Sequence, residues 1–156
     1  MIRETVQINQ KGVIDMLLRN CAGGVVFSGN KVFLLKNEKG EWVFPKGVIK
    51  NGELQSEVAL KRVREEGGID ATIISTAGRT NYEFFSVTRQ QPVCNRITWF
   101  IMMAPDQNYS IGEPAKFLDA GFFTIEEAME KITYSQDRSL LHISYMKYKE
   151  LISLAS

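Results

Sequence analysis

Short runs of aliphatic and aromatic residues, several alternating with polar ones and bounded by Gly, Asn or Pro, recur along this chain and predict β-strands. They cover residues 21–27, 31–36, 42–44, 71–79, 81–88, 96–103 and 122–123. Good helix formers predict a central helix over residues 54–66, a second helix starting at 124–128 and a last amphipathic helix over 137–154. Strands on both sides of a central helix, with a helix at the end, predict an α+β sandwich with a mixed β-sheet.

The central helix has two faces when its residues are placed at intervals of about 100°. The face expected to pack on the core holds Ser56, Ala59, Leu60 and Val63. The opposite face holds Val58, Arg62, Glu65 and Glu66. Two adjacent carboxylates are suitable ligands for Mg²⁺, which takes one or two carboxylates from protein. On an isolated helix they would be ordinary solvated charges.

A strand that runs into a tight loop precedes this helix. Trp42 to Phe44 form the strand, and Pro45, Lys46 and Gly47 follow it. Proline fixes one backbone angle and glycine permits conformations closed to other residues, so the loop can hold a backbone carbonyl near the helix carboxylates as a further oxygen ligand. The combination favours a metal site over two unrelated surface charges.

The spacing of these residues resembles the Nudix box, G-x5-E-x7-R-E-U-x-E-E-x-G-U, in which U is aliphatic. The residues at matching positions are Gly47, Glu53, Glu65, Glu66 and Gly68. The Arg-Glu pair of the box is replaced by Lys61 and Arg62. The resemblance implies a Nudix-type α/β/α sandwich with a mixed sheet over residues 19–156, after an N-terminal lead of uncertain structure over residues 1–18.

The resemblance also implies an activity and a set of site residues. The Phe-Pro-Lys-Gly segment at 44–47 is similar to that of Nudix enzymes that hydrolyse diadenosine tetraphosphate or diphosphoinositol polyphosphates. The implied reaction is cleavage of a nucleoside diphosphate linked to another moiety, such as a dinucleoside polyphosphate, with Mg²⁺ or Mn²⁺. The implied catalytic residues are Glu53, Glu65 and Glu66, and the implied metal ligands are Gly47, Glu65 and Glu66. The implied substrate-binding residues are Lys46, Arg62 and Arg96.

Arg62 changes the charge of the implied metal face by two units, because a carboxylate of the box is lost and a cation is gained. It can pair with Glu65 three residues later and with Glu66 four residues later. At about 4 Å and an effective dielectric near 20, each unit of charge matters by roughly 4 kcal/mol before screening. The metal affinity is therefore expected to fall, and catalysis would need another base.

The candidate bases are Glu53, Glu57 and Glu113. Glu113 lies in a polar loop, 105–114, where some Nudix enzymes supply a carboxylate, although another alignment puts Lys116 at that position. Glu53 and Lys61 are expected to form an ion pair that holds the loop against the helix. Two other functions stay open. The chain could be a Nudix module that binds a nucleotide or phosphorylated ligand without cleaving it, or a scaffold that uses the surface of the fold.

Composition agrees with one small enzyme domain, since the chain has 156 residues, of which 44% are hydrophobic and 24% charged. A net charge of +1 gives no bulk field that would attract nucleic acid or an anionic membrane. No stretch reaches the roughly 18 apolar residues of a membrane span, and Arg3 and Glu4 interrupt any secretory signal. Cys21 and Cys94 form no C-x-x-C motif and predict reduced thiols, as expected in the cytoplasm. The expected partner is a small phosphoanhydride substrate, bound by a monomer or homodimer.

Several remaining residues are expected to be structural. The aromatic residues of the later strands predict core or pocket-wall positions, and they are Tyr82, Phe84, Phe85 and Trp99. His142 lies in the last amphipathic helix, where packing or solvent exposure is expected instead of catalysis.

Overall fold

The computed structural model describes residues 3–7 and 15–155 of the chain. The strands are β1 (Arg3–Gln7), β2 (Asp15–Ser28), β3 (Lys31–Asn37), β4 (Trp42–Val43), β5 (Lys46–Val48), β6 (Thr72–Ser86), β7 (Gln91–Met103) and β8 (Phe117–Thr124). The helices are α1 (Gln55–Gly67), α2 (Ile125–Lys131) and α3 (Ser135–Ala155). Among the described helices, none combines the length and apolarity that crossing a membrane requires.

Strand β2 is the centre of a mixed sheet. It pairs in parallel with β7 and antiparallel with β1, β3 and β5. Strand β6 extends the sheet beyond β7, while β4 and β8 pair with β3. One parallel pairing among antiparallel ones confirms the predicted α+β class with a mixed sheet.

Two helical layers cover the two faces of this sheet. Successive side chains of a strand point to opposite faces, so Val26 packs with the residues of α1, while Val25 and Phe27 pack with those of α3. Trp99 lies in the second of these cores and is almost fully buried. The three layers form the α/β/α sandwich that the box implied.

Helix α1 ends where the sequence predicts. Gly68 caps it in the left-handed conformation, at φ 64°, and donates its N–H to the carbonyl of Arg64. The predicted face was partly wrong, because Val58 is only 4% exposed and packs in the core with Ala59 and Val63. Glu66 is also buried, so the buried arc of the helix is wider than the predicted apolar stripe and includes a carboxylate.

Tertiary pairing lengthens or creates several strands. Gly47, predicted in a loop, lies in β5 and pairs with Ala22 of β2. Strand β6 runs without a break through the two strands predicted at 71–79 and 81–88, and its pairing with β7 contains two register shifts. Strands β7 and β8 begin at Gln91 and Phe117, earlier than predicted.

The chain before residue 19 contributes β1 and the start of β2 to the sheet. The division of the chain into a lead and a domain stays a prediction, since residues 8–14 lie outside the described part. Cys21 and Cys94 are free and buried, as predicted, and burial raises the pKa of both thiols.

Candidate active site

Arg62 connects helix α1 to strand β5 through three contacts. Its Nη2 lies 2.9 Å from Oε2 of Glu66, and its Nη1 lies 3.5 Å from Oε1 of Glu65. Its Nε donates to the backbone carbonyl of Lys46 at 3.3 Å. The predicted pairing of Arg62 with both carboxylates is therefore present, and one guanidinium holds three oxygens together.

Glycine at position 47 makes room for this arrangement. The Arg62 side chain crosses β5 at Gly47, where a Cβ atom would overlap the Nε, Cδ and Cγ atoms of the arginine. Any larger residue there would displace the arginine from the Lys46 carbonyl. The box glycine is needed here for close approach to Arg62.

Glu66 is held in the interior, with a side chain only 2% exposed. Burial raises its pKa from 4.5 to about 7, although the positive charges of Arg62, Lys116 and Lys46 oppose the shift, while Glu113 adds to it. The charged form of Glu66 consequently depends on the cations around it.

The loop after β7 packs against the end of α1 and brings Glu113 beside Glu65 and Glu66. These three side chains form the carboxylate cluster. The N–H of Ser110 donates to the carbonyl of Gly67 at 2.9 Å, and that of Gly112 donates to the carbonyl of Glu66 at 3.2 Å. Oε2 of Glu113 is buried and accepts no hydrogen bond from a described residue. The Lys116 ammonium lies 4.0 Å from that oxygen. Both of the predicted alternatives, Glu113 and Lys116, therefore lie near Glu66.

A cavity of about 360 Å³ lies next to the carboxylate cluster, and Lys46 and Lys116 border both of them. Its charged lining consists of four cations and two carboxylates, which are Arg19, Lys39, Lys46, Lys116, Glu41 and Asp137. The lining therefore carries a formal excess of two positive charges when all six are ionised. Such a cavity suits an anionic ligand.

Hydrogen bonds fix one wall of the cavity. The hydroxyl of Tyr134 donates to Oε2 of Glu41 at 2.5 Å, and it lies 3.0 Å from the hydroxyl of Tyr82. Burial and these two neighbours raise the pKa of Tyr134, so its phenol stays protonated. The amide of Asn37 donates to the other oxygen of Glu41 at 2.9 Å. This wall presents tyrosine rings in a fixed orientation.

A neighbouring part of the lining combines a cation with an aromatic ring. The Arg19 guanidinium lies 5.7 Å from the centre of the Phe84 ring, and its Nε donates to Oδ1 of Asn95 at 2.9 Å. Phe84 also stacks on Tyr82, with ring centres 5.5 Å apart. The predicted pocket-wall role of Tyr82 and Phe84 fits this geometry, whereas Phe85 is exposed.

Asp137, at the start of α3, is a buried carboxylate of the cavity lining. Burial raises its pKa from 3.8 to about 6, and the charge of Lys46 opposes the shift. Lys46 is thus close enough to act electrostatically on both Asp137 and Glu66. Its side chain connects the cavity with the carboxylate cluster.

Other predicted site residues lie elsewhere. Arg96 is exposed and does not line the cavity, because its neighbours Asn95 and Ile97 do so and strand side chains alternate. Glu57 lies in the first turn of α1, eight positions before Glu65, which is about 12 Å along the helix axis. The geometry therefore does not bring Arg96 or Glu57 to the cluster.

Glu53 also lies at the far end, before α1 begins. Its carboxylate accepts the N–H of Lys50 at 2.7 Å, and it forms no ion pair with Lys61 in the described part of the chain. The predicted Glu53–Lys61 pair was wrong, because the carboxylate closes its own loop. The geometry offers Glu53 a structural role and no contact with Glu65 or Glu66.

Sequence reasoning missed five titratable residues of the cavity lining, which are Arg19, Lys39, Glu41, Tyr134 and Asp137. They come from the segments around β2, β4 and α3, which are distant in sequence from the box. No motif marks them, since only the folding of the sheet brings them together.

The residues of the cluster do not fit the implied Mg²⁺ or Mn²⁺ as they are arranged. A divalent ion needs oxygen ligands that carry net negative charge. The charges around Glu66 sum to zero, since three carboxylates and three cations meet there, namely Glu65, Glu66, Glu113, Lys46, Arg62 and Lys116. Among the described residues no group of three or more His, Cys, Asp or Glu side chains has a metal-binding arrangement.

Comparison with known proteins places this chain in a family. A family model described as NUDIX domain matches residues 17–142. The putative mutator protein MutT4 of Mycobacterium tuberculosis is 27% identical over 103 residues, 66% of this chain and 40% of that protein. The RNA pyrophosphohydrolase of Erythrobacter litoralis is 32% identical over 75 residues, 44% of each chain. This chain thus spans less than half the length of both curated relatives.

Solved structures share the fold. The Ap4A hydrolase of C. elegans, in a binary complex, superposes with a TM-score of 0.64 and 19% identity, over 85% of this chain and 98% of that one. The dihydroneopterin triphosphate pyrophosphohydrolase of E. coli gives a TM-score of 0.66 and 18% identity, over 78% and 91% of the two chains. The matched family model spans most of the chain, and the chain belongs to the Nudix hydrolase family.

Proposed function

We propose that this chain is a slow Nudix pyrophosphohydrolase that cleaves a nucleoside diphosphate linked to another moiety, such as a dinucleoside polyphosphate. The observation that carries the proposal is the cationic cavity that shares Lys46 and Lys116 with the carboxylate cluster. The names of its relatives, an RNA pyrophosphohydrolase and an Ap4A hydrolase among them, support phosphoanhydride chemistry.

The aromatic wall supports a nucleoside as part of the ligand. Tyr82 and Phe84 line the cavity beside the Arg19 guanidinium, and aromatic faces and arginine planes both stack on nucleobases. A volume of about 360 Å³ falls within the range of small-molecule sites. The phosphates would then lie toward Lys46 and Lys116, the two cations of the cavity lining that also border the carboxylate cluster.

The residues of the site can contribute to hydrolysis in two ways. Lys46 and Lys116 can stabilise the negative charge on the phosphate oxygens as water attacks phosphorus and the bond to the bridging oxygen breaks. Glu113 would accept the proton that the water loses. Its Oε2 accepts no hydrogen bond from a described residue and lies 4.0 Å from Lys116 of the cavity lining, although Glu113 itself does not line the cavity. No step here depends on the Mg²⁺ or Mn²⁺ that the box implies. The rate should be low, since a metal ion supplies several kcal/mol of such stabilisation in other hydrolases.

The test is a panel of diphosphate compounds, followed by ³¹P NMR, with EDTA, Mg²⁺ or Mn²⁺. The panel contains dinucleoside polyphosphates, nucleoside diphosphate sugars and diphosphoinositol polyphosphates. We expect slow product formation from dinucleoside polyphosphates and a loss of rate of about 100-fold in Glu113→Gln, the lower end of the usual general-base contribution. Glu57→Gln is the matched control, because it makes the same change at the far end of α1. Absence of product from every compound would contradict the proposal.

A second candidate is a module that binds such a ligand without cleaving it. The 2.9 Å contact between Arg62 and Glu66 favours it, because the carboxylate cluster is neutralised by the protein itself. Calorimetry distinguishes the two functions. A nucleotide that binds with micromolar affinity and is recovered unchanged after hours would favour the binding module.

A further inference from the structure

We infer that the Arg62 guanidinium is a resident cation, which takes the place of a divalent metal between α1 and β5 and makes phosphate binding independent of metal. The inference rests on the proposed function only for the phosphate ligand. The exclusion of a metal ion by Arg62 does not require any substrate. It is carried by the contacts of Arg62, by the packing that fixes them and by the local sum of charges.

The guanidinium satisfies three oxygens of different origin. It contacts the buried carboxylate of Glu66 at 2.9 Å and the half-exposed carboxylate of Glu65 at 3.5 Å. It also donates to the backbone carbonyl of Lys46 at 3.3 Å. A hard cation would use the same kinds of oxygen. Because the planar guanidinium already occupies them, an ion could bind only after the arginine had moved away.

Packing holds the arginine in this position. Its side chain is only 24% exposed and crosses β5 where Gly47 has no Cβ. Glu66 is almost completely buried, and a buried carboxylate whose counter-charge is removed is strongly destabilising. The arrangement is thus part of the interior and differs from an exposed helix pair, which is weak and interchangeable.

The local charge decides what the cluster can attract. With Arg62 present, the three carboxylates and three cations that meet around Glu66 sum to zero. Replacing Arg62 by a neutral residue gives −1, and replacing it by Glu gives −2 and adds a fourth oxygen donor. A metal site would therefore need only one substitution. In the protein as it stands, Lys46 and Lys116 also line the cavity, where a phosphate can reach them without a metal ion.

The first experiment is a Mn²⁺ titration of the full chain, in which electron paramagnetic resonance measures free Mn²⁺. Arg62→Glu is compared with the wild type and with the matched control Arg64→Glu, which makes the same two-unit change on the same helix at a residue that is 61% exposed. We expect the wild type and Arg64→Glu to bind Mn²⁺ weakly and similarly. Arg62→Glu should bind at least about tenfold more tightly, and Arg62→Glu/Glu66→Gln should lose that gain.

Two results would overturn the inference. One is a wild type that binds Mn²⁺ as tightly as Arg62→Glu does, and the other is an equal gain in Arg64→Glu. Circular dichroism at each Mn²⁺ concentration checks that Arg62→Glu is folded. If that variant does not fold, the wild-type titration decides alone, because tight Mn²⁺ binding to the native chain contradicts a resident cation.

The second experiment uses inorganic pyrophosphate as the probe and calorimetry as the measurement. We expect the wild type to bind pyrophosphate in excess EDTA, and Lys116→Met to bind about tenfold more weakly. Binding that appears only when Mg²⁺ is added would overturn metal independence. Absence of turnover on every compound of the panel would contradict the proposed function, whereas the Mn²⁺ titration involves no turnover.

Discussion

Replacing Arg62 by glutamine removes the cation that lies 2.9 Å from the Glu66 carboxylate. Water cannot replace it, because Glu66 is only 2% exposed. With charge centres about 4 Å apart and an effective dielectric near 20, the lost attraction is about 4 kcal/mol. Glu65 adds only about 0.3 kcal/mol to the cost, since it pairs with Arg62 on the surface of the helix. The upper limit of the destabilisation is therefore set by Glu66.

Protonation of Glu66 lowers this cost and makes it depend on pH. The pKa of Glu66 in the folded protein is about 7, against an ordinary value of 4.5. Its buried charge therefore takes nothing from the unfolding free energy below pH 4.5 and takes most above pH 7. At pH 8 the protonated form of the wild type lies only about 1.4 kcal/mol above the charged form. In Arg62→Gln, Glu66 can take up a proton at that cost. The variant then also loses the hydrogen bond between Arg62 and Glu66, which contributes about 1 to 1.5 kcal/mol.

The expected loss of unfolding free energy in Arg62→Gln is therefore about 3 kcal/mol at pH 8 and about 1 kcal/mol at pH 6. Above pH 7 it should grow by about 1.4 kcal/mol per pH unit until it reaches the Coulomb limit. Urea unfolding of the wild type, Arg62→Gln, Glu66→Gln and the double variant at pH 6 to 9 gives these values as a double-mutant cycle. Arg64→Gln is the control and should change stability by less than about 0.5 kcal/mol.

Two outcomes would refute this account of the pair. The first is a loss below about 0.5 kcal/mol at pH 8, which would mean that Arg62 does not compensate a buried charge. The second is a loss that is the same at every pH, which would mean that Glu66 does not titrate near 7. The double variant should show no such pH dependence, because it lacks the titrating carboxyl group.

Four other substitutions test the packing and one buried charge. Asp137→Asn should stabilise the chain by about 3 kcal/mol at pH 8 and have little effect below pH 4. The folded pKa of Asp137 is raised to about 6, so the cost of its charge to the stability of the fold appears as pH rises from 3.8. Thermal melts at several pH values measure this, and a constant difference would contradict it. Gly47→Ala should cost about 1 to 3 kcal/mol in urea unfolding, because its Cβ overlaps Arg62; wild-type stability would refute the overlap. Val58→Ala should lower the unfolding free energy by about 1 to 3 kcal/mol and Ser56→Ala by less than about 0.5 kcal/mol. A larger loss in Ser56→Ala than in Val58→Ala would mean that the face predicted from the sequence is the buried one.

The sequence predicted those features of the fold that depend on local signals. Helix α1 and its end follow from its helix formers and from the glycine at 68, which adopts φ 64°. The three-residue strand β5 could not be predicted, because it forms only where β2 offers an edge to pair with. Val58 was assigned to the wrong face because a helix lying on a sheet buries a wider arc than its apolar stripe. Non-local pairing accounts for both errors.

The two departures from the box differ in how far the sequence could predict their effects. The spacing of Arg62 relative to Glu65 and Glu66 predicts both contacts, since residues three and four apart are neighbours on a helix. It cannot predict the contact with the Lys46 carbonyl or the burial of Glu66, which depend on β5 and on the loop after β7. These non-local features turn a weak surface pair into a buried, charge-compensated cluster. Glu53, the expected partner of Lys61, instead accepts a hydrogen bond from the backbone N–H of Lys50. The shape of the loop before α1 therefore does not depend on the residue at position 61. The substitution at 62 is therefore the one that bears on metal binding and catalysis, and restoring arginine at 61 alone would leave the charge of the cluster unchanged.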